Sequence, residues 1–219
     1  MVEAAPGRRE TIKQELLKKA KSYFDSWEEH KVVLEVPERH YVARQTFDEE
    51  GNCITIVKYK CMGFTEEHWQ QWKADPIAVQ QAMNDRMSST RLDDDEGCKV
   101  FHIKMNMPMM ISNRSIVTCF YEHEDENGYR IVQHSSQGND DILAAKRKEI
   151  GKDVVARMIL TYMAAKPIEG GFELNQMVAM DIAGMIPGFV KNKIAKKLAN
   201  VGLQISDYVM HGTIPPKIM

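Results

Sequence analysis

The chain has 219 residues, of which 43% are hydrophobic and 27% charged, a balance typical of one compact globular domain and not of a disordered or fibrous chain. Lys and Arg number 29 against 31 Asp and Glu, so the chain lacks the positive charge that nucleic-acid binding uses. The four cysteines form no C-x-x-C pair, and no apolar stretch is long enough to span a membrane. We therefore expect a cytoplasmic protein with free thiols and no nucleic-acid partner.

The N-terminal part of the chain predicts a helix, three strands and a pair of short helices. Apolar residues recur at helical spacing over residues 10–27, which indicates an amphipathic helix. Alternating residues predict antiparallel strands over residues 31–36, 40–47 and 53–60. Thr65 begins a helix that carries Trp69 and Trp72, and Asp75 begins a second short helix.

Alternation returns after Cys98 and continues through the C-terminal part. It predicts strands over residues 101–107, 114–121, 129–136, 154–163 and 171–182, with a hairpin turn at Asn127-Gly128. Residues 137–151 are predicted to form a long polar loop that acts as a lid, and residues 187–208 a long final helix. The order of elements indicates an α+β domain, whose antiparallel sheet can curl around a helix and enclose a cavity.

The final helix combines an apolar stripe with unbalanced positive charge. Val190, Ile194, Leu198, Val201 and Ile205 follow helical spacing, and no acidic residue occurs between Asp181 and Asp207. This pattern fits a helix between an apolar core and an anionic membrane surface, although lysines that merely solubilise a docking helix explain it equally well. The cations predicted to contact the membrane are Lys146, Arg147, Lys148, Lys191, Lys193, Lys196 and Lys197.

Two motifs resemble a known family. The segment before the final helix reads Met180-Asp181-Ile182-Ala183-Gly184-Met185-Ile186-Pro187. It resembles the link between the last strand and the lid helix of START domains, the steroidogenic-acute-regulatory-related lipid-transfer family. The run from Met107 to Arg114 resembles the Trp-Pro-x-x-x-x-Arg-Asp strand start of that family, with Met107 in place of Trp and Ser115 in place of Asp. The resemblance spans roughly residues 30–210.

The resemblance implies a helix-grip fold, in which a curved antiparallel sheet wraps around a long C-terminal helix and encloses a hydrophobic cavity. It implies a monomer that binds one lipid, such as a sterol or phospholipid, transfers or senses it at membranes, and is neither an enzyme nor dependent on a cofactor. The domains are then an N-terminal helix over residues 1–30, a START-like domain over 31–212 and a tail over 213–219.

The resemblance to START domains and the alternation along the strands together predict which residues line the cavity. Phe101 and Phe120 stand where some sterol-binding members of the family place a buried acid and its Arg partner, so no polar anchor is expected there. The small residues Ala195, Ala199 and Gly202 of the final helix are expected to leave room for the ligand. The predicted ligand-binding residues are Phe101, Ile103, Met105, Thr118, Phe120, Met158, Leu160, Met180, Ile182, Ile194, Leu198 and Val201.

Two alternatives to lipid transfer stay open. A helix-grip enzyme acting on a small apolar substrate needs a nucleophile and a base, for which Cys119 or Ser135 beside His134 are the candidates. The histidines show no metal-binding spacing, so no metal site is expected. The 15 methionines, about three times ordinary usage, suit an adaptable pocket, but they also suit a cavity filled by its own side chains.

Overall fold

The computed structural model describes residues 7–74, 77, 79, 81, 86–92, 96–107, 111–184 and 188–212, without the side chains of residues 188, 189 and 191. The helices are α1 (Arg8–Asp25), α2 (Glu66–Ala74), α3 (Asp140–Ala145), α4 (Arg147–Ile150), α5 (Gly188–Ala199) and α6 (Val201–His211). The strands of the N-terminal part are β1 (Lys31–Val36), β2 (Tyr41–Phe47), β3 (Cys53–Met62), β4 (Met87–Arg91) and β5 (Lys99–Met105). Those of the C-terminal part are β6 (Arg114–Glu124), β7 (Arg130–Ser135), β8 (Val154–Val155), β9 (Arg157–Ile168) and β10 (Gly171–Asp181).

All strands belong to one curved ten-stranded sheet, as the helix-grip fold requires. Its order is β1-β2-β3-β10-β9-β7-β6-β5-β4, and the short β8 pairs with β6 in the parallel sense. The other pairs are antiparallel, because most of the strands follow one another through tight turns. The predicted α+β class, the antiparallel sheet and the C-terminal helical segment are confirmed.

Each face of the sheet carries its own apolar cluster. The inner cluster covers one face and includes Tyr41, Tyr59, Trp69, Phe101, Ile103, Phe120, Met158, Met163, Leu174 and the α6 residues Leu203, Ile205 and Val209. The outer cluster covers the other face and joins Ile12, Leu16 and Ala20 of α1 to residues such as Ile54, Ile56, Val117, Leu160 and Met177. Both faces of the sheet are therefore covered, α1 on the outside and α6 on the inside.

A β-bulge in β9 changes which side chains reach the inner face. Ala179 of β10 pairs with Leu160, whereas the next residue, Met180, pairs with Met158, so Ile159 is an extra residue in the ladder. One extra residue reverses the alternation on one side of it. Met158 therefore lies in the inner cluster, but Leu160 lies in the outer one. The inward orientation predicted for Leu160 is wrong.

The final helix is interrupted at Asn200, where the sequence predicts continuous helix. The Asn200 side chain donates to the carbonyl of Lys196 at 3.1 Å, and its own N–H bonds to the carbonyl of Lys197 at 3.1 Å. Such local bonds compete with the regular helical ladder. The Tyr41 hydroxyl donates to the carbonyl of Ala199 at 2.7 Å, directly beside the interruption.

The segment over residues 137–151, predicted as a loop, contains the short helices α3 and α4. Asn139 at its start is buried and donates to the carbonyls of Val117 and Ser135, both at 3.2 Å. Ile150 at its end is also buried. The segment is thus attached to the sheet at both ends, which is unlike a free lid.

Two further differences concern short elements. The edge strand β4 was not predicted, since its Met-Ser-Ser-Thr-Arg sequence shows no apolar alternation. The predicted second helix from Asp75 lies outside the described residues, apart from Ile77, Val79 and Gln81. Ile77 and Val79 are buried in the inner cluster. The predicted C-terminal tail over residues 213–219 also lies outside them.

Gly202 is required for the close approach of α6 to the sheet. A Cβ atom at this position would lie 2.6 Å from Oε1 of Gln176 and 3.1 Å from the rings of Tyr41 and Tyr59. We expect Gly202→Leu to lower the free energy of unfolding by about 2–3 kcal/mol, as overpacking does. Urea denaturation measures this change. The control Lys197→Leu, at an exposed position of α5, should change stability by less than about 0.5 kcal/mol, and equal losses in both variants would contradict the contact.

Candidate functional site

The two motifs that carry the family resemblance meet in space. Asp181 accepts a hydrogen bond from the N–H of Ala183 at 2.8 Å, and Ala183 and Gly184 both have left-handed backbone, with φ of 54° and 71°. Arg114, buried at the start of β6, donates to the carbonyls of Ile182 at 3.0 Å and Ala183 at 2.8 Å. Arg114 therefore holds the link that leads from β10 into α5.

The centre of the inner face is incompletely covered. Thr161 on β9 and Val178 and Met180 on β10 are only half-buried, although these strands lie in the middle of the sheet. Ile194 and Leu198 on α5 are half-buried as well. Side chains in the middle of a covered face are normally buried, so accessible space remains beside these residues. We take this inner face as the candidate site.

An aromatic row crosses the inner face next to that space. Phe101 meets Phe120 edge to face, with ring centroids 5.0 Å apart. The imidazole of His134 stacks on Phe120, with centroids 4.4 Å apart and planes 7° from parallel. Phe101 and Phe120 thus make an apolar contact, and the adjacent strand adds a polar ring.

His134 is buried, with 3% of its surface exposed. Its Nδ1 lies 3.2 Å from Oγ1 of Thr118, whereas its Nε2 is buried without a hydrogen-bond partner among the described residues. Burial away from water lowers the pKa of His134 to about 3, because the charged imidazolium is poorly solvated there. The side chain is therefore neutral at physiological pH and acts as a hydrogen-bonding group, not as a cation.

The predicted site residues divide into groups. Phe101, Ile103, Phe120 and Met158 are buried members of the inner cluster, and Met105, Met180 and Val201 pack against it. Thr118 is buried beside His134. Ile182 is half-buried in the link held by Arg114, and Leu160 lies on the opposite face.

Sequence reasoning missed His134, Thr161 and Val178 as inner residues. Alternation with the inward residue Val132 was the available signal for His134.

The small residues of the final helix have a role that the sequence did not suggest. Their carbonyls are instead the docking points of the helix on β2 and β3. Gln45 donates to Ala195 at 2.8 Å, Tyr41 to Ala199 at 2.7 Å, and Tyr59 to Gly202 at 3.2 Å. Close approach of the helix backbone to these side chains accounts for the small residues, and the crowding around Gly202 leaves no room for a ligand there. Space beside Ala195 and Ala199 stays a prediction.

The nucleophile candidates point away from His134. Ser135 donates to the carbonyls of Met158 and Ile159, and Cys119 lies in the outer cluster with its thiol on Asn139. Neither candidate can therefore share the inner face with His134. In the described part of the chain, no group of three or more His, Cys, Asp or Glu side chains is placed to hold a metal ion.

The predicted membrane-contacting cations lie on two segments. Arg147 and Lys148 on α4 are exposed, and Lys146 forms an ion pair with Glu149 at 2.9 Å. Lys193, Lys196 and Lys197 on α5 are exposed, and the side chain of Lys191 is outside the described ones. Of the helices as far as they are described, none has the length and apolar character needed to cross a bilayer.

Comparison with solved structures identifies the class of fold. The chain is similar to human StAR-related lipid transfer protein 5, with a TM-score of 0.72 and 12% identity over 92% of this chain and 96% of that one. It is similar to human STARD10, with a TM-score of 0.68 and 13% identity over 94% and 80% of the two chains. A STAR-related lipid transfer protein from Xanthomonas axonopodis gives a TM-score of 0.60 and 17% identity over 82% and 98%.

These structures share a sheet that grips a C-terminal helical segment. The chain therefore has the START-domain fold, and the resemblance predicted from the two motifs is confirmed at the level of fold. No family model matches the sequence, and no curated protein matches it. The identities are low because the fold is kept by its alternating apolar pattern and by a few local links, which many different sequences satisfy.

Because the buried imidazole of His134 is neutral, we expect the protein to lose stability in acid. The unfolded chain binds a proton at His134 below its ordinary pKa of 6.5, but the folded chain does not until about pH 3. The contribution of His134 to the free energy of unfolding is therefore fully present above pH 6.5. It is lost as the pH falls below 6.5, by about 1.4 kcal/mol per pH unit. Between pH 6.5 and pH 5, the free energy of unfolding of the wild type should fall by about 2 kcal/mol more than that of His134→Phe. Denaturant titrations at the two pH values measure this difference.

The control is His40→Asn, which removes an exposed histidine whose left-handed backbone, with φ of 46°, Asn tolerates. Its loss of stability with pH should match the wild type. If His134→Phe also matched the wild type, the neutral buried state of His134 would be refuted.

Proposed function

We propose that the chain binds one hydrophobic lipid on the inner face of its sheet and transfers or senses it at membranes. The observation that carries the proposal is a set of half-buried apolar side chains on the central strand β10 and on α5, namely Val178, Met180, Ile194 and Leu198. Accessible apolar surface inside a fold is costly in water, and an apolar guest removes that cost at about 0.8 kcal/mol per methylene buried.

The composition of this face supports a lipid more than a polar substrate. Phe101, Phe120, Ile103 and Met158 supply apolar contact, and methionine side chains adapt to irregular guests. The solved structures with this fold include two that are named as lipid transfer proteins. The hydrolytic alternative is not favoured, because Ser135 and Cys119 lie on the other side of the sheet from His134.

Membrane contact is the second part of the proposal. A side chain at Gly184 would touch Val154, so the link into α5 passes beside β8, which follows α4 closely in the chain. This proximity supports a common surface for Arg147 and Lys148 with the start of the final helix. Each exposed cation at such a surface contributes about 1 kcal/mol against anionic lipid.

Leu198→Asp tests lipid loading. A carboxylate in place of the half-buried leucine should reduce the lipid retained by the purified protein at least tenfold, since a charge beside an apolar guest is poorly solvated. Native mass spectrometry measures the bound fraction, and circular dichroism checks the fold. The matched control Asn192→Asp adds the same charge at an exposed position of α5 and should keep its lipid. Equal retention by both variants would contradict this site.

Charge reversal tests membrane contact. Lys196→Glu with Lys197→Glu should slow lipid transfer between anionic vesicles about tenfold and leave transfer between neutral vesicles unchanged. The control is Lys18→Glu with Lys21→Glu, the same change of net charge at exposed positions of α1. High salt should remove the difference, because it screens surface charge. Equal slowing with both kinds of vesicle, or equal slowing by the control pair, would argue against docking through α5.

A further inference from the structure

On the inner face, a polar atom of His134 has no hydrogen-bond partner among the described residues. Nε2 of His134 is buried and makes no hydrogen bond to any described residue. Buried polar atoms are nearly always paired, because an unpaired one forfeits its hydrogen bonds to water. A buried polar atom without a partner, on the face where a ligand is proposed to bind, therefore indicates a hydrogen bond that forms only when the ligand is present.

Two other buried atoms on the inner side of the sheet have no partner among the described residues, Nε1 of Trp72 and Oε1 of Gln176. The one on Gln176 has a different explanation. Oε1 of Gln176 lies against Gly202, where a Cβ would come within 2.6 Å of it, so the docked helix α6 covers this atom. His134 has different neighbours. It pairs across the sheet with Thr161, which is only half-buried, and its ring stacks on Phe120. Accessible surface thus lies on the strand next to His134, while Nε2 itself is buried.

The surroundings of His134 define the chemistry of the group that would bind. Thr118 holds Nδ1, so the ring has one free nitrogen, which is a donor in one tautomer and an acceptor in the other. A hydroxyl group fits both tautomers. A phosphate or carboxylate needs a cation, but the nearby polar partners Thr118 and Thr161 are neutral, and Arg114 already donates to carbonyls of its own link.

We propose that Nε2 of His134 binds the uncharged hydroxyl group of a lipid whose apolar part lies along the Phe101–Phe120 row. This inference rests on the proposed lipid binding and names the class of lipid: one with a neutral hydroxyl as its innermost polar group, in preference to a phospholipid. The low pKa of His134 agrees with a neutral partner, since a ring that stays uncharged attracts no anion.

The test uses pairs of lipids in which one member has a free hydroxyl group and the other has it removed or acetylated. The purified protein is incubated with vesicles that contain cholesterol or cholest-5-ene, and separately with dioleoylglycerol or its acetyl ester, each against a phosphatidylcholine background. Native mass spectrometry measures the fraction loaded. We expect the wild type to prefer the hydroxylated member of at least one pair about tenfold, and His134→Phe to lose that preference.

Two further measurements keep the result interpretable. His134→Gln retains a side chain that can hydrogen-bond and should keep part of the preference, which a purely structural role of the ring would not produce. In the wild type with ¹⁵N-labelled histidine, the Nε2 resonance of His134 should shift with the hydroxylated lipid and not with its partner.

The outcomes separate this inference from the proposed function. Loading without preference within either pair, a preference unchanged in His134→Phe, or preferential loading of phosphatidylcholine would overturn the hydroxyl anchor and leave lipid binding intact. Failure to load any of these lipids would overturn the proposed function, and the anchor with it.

Discussion

The arrangement of the inner face depends on the buried guanidinium of Arg114. It lies at the first residue of β6 and donates to the carbonyls of Ile182 and Ala183 in the link after β10, and to that of Ser112 before its own strand. A buried cation is strongly destabilising when its partners are removed, so these bonds constrain both segments together. They fix the end of β10 and the Ile182–Ala183 part of the link against the start of β6.

The final helix is attached along one side. Three of its carbonyls, those of Ala195, Ala199 and Gly202, accept hydrogen bonds from Gln45, Tyr41 and Tyr59. Further along the helix, Asp207 forms an ion pair with Arg39 at 2.8 Å. These contacts are to β2, β3 and the short turn between β1 and β2. The attachment therefore does not depend on filling the space over β9 and β10. For this reason the fold can be stable even though the centre of the inner face of the sheet is incompletely covered.

The sequence predicts those parts of the fold that depend on local signals. Strands with clear alternation, the Asn127-Gly128 hairpin and the Asp181–Gly184 link are found where they are expected, since each depends on neighbouring residues only. Leu160 was misplaced because a bulge, which only strand pairing reveals, reverses the alternation. The interruption at Asn200 and the attachment of the segment before β8 involve single polar side chains, Asn200 and Asn139. Such side chains leave no periodic signal in the sequence.

The departures from the family motifs have structural counterparts. Ser115, in place of the expected Asp, donates to Asp153 at 3.0 Å and lies 3.1 Å from Nε2 of His102. A carboxylate from the segment before β8 therefore lies beside Ser115, and β8 pairs with β6 at this same residue.

The Phe101–Phe120 pair makes an aromatic contact on the inner face, and His134 on the adjacent strand stacks on Phe120. The polar ring next to this pair therefore belongs to β7, a strand that neither of the two motifs includes.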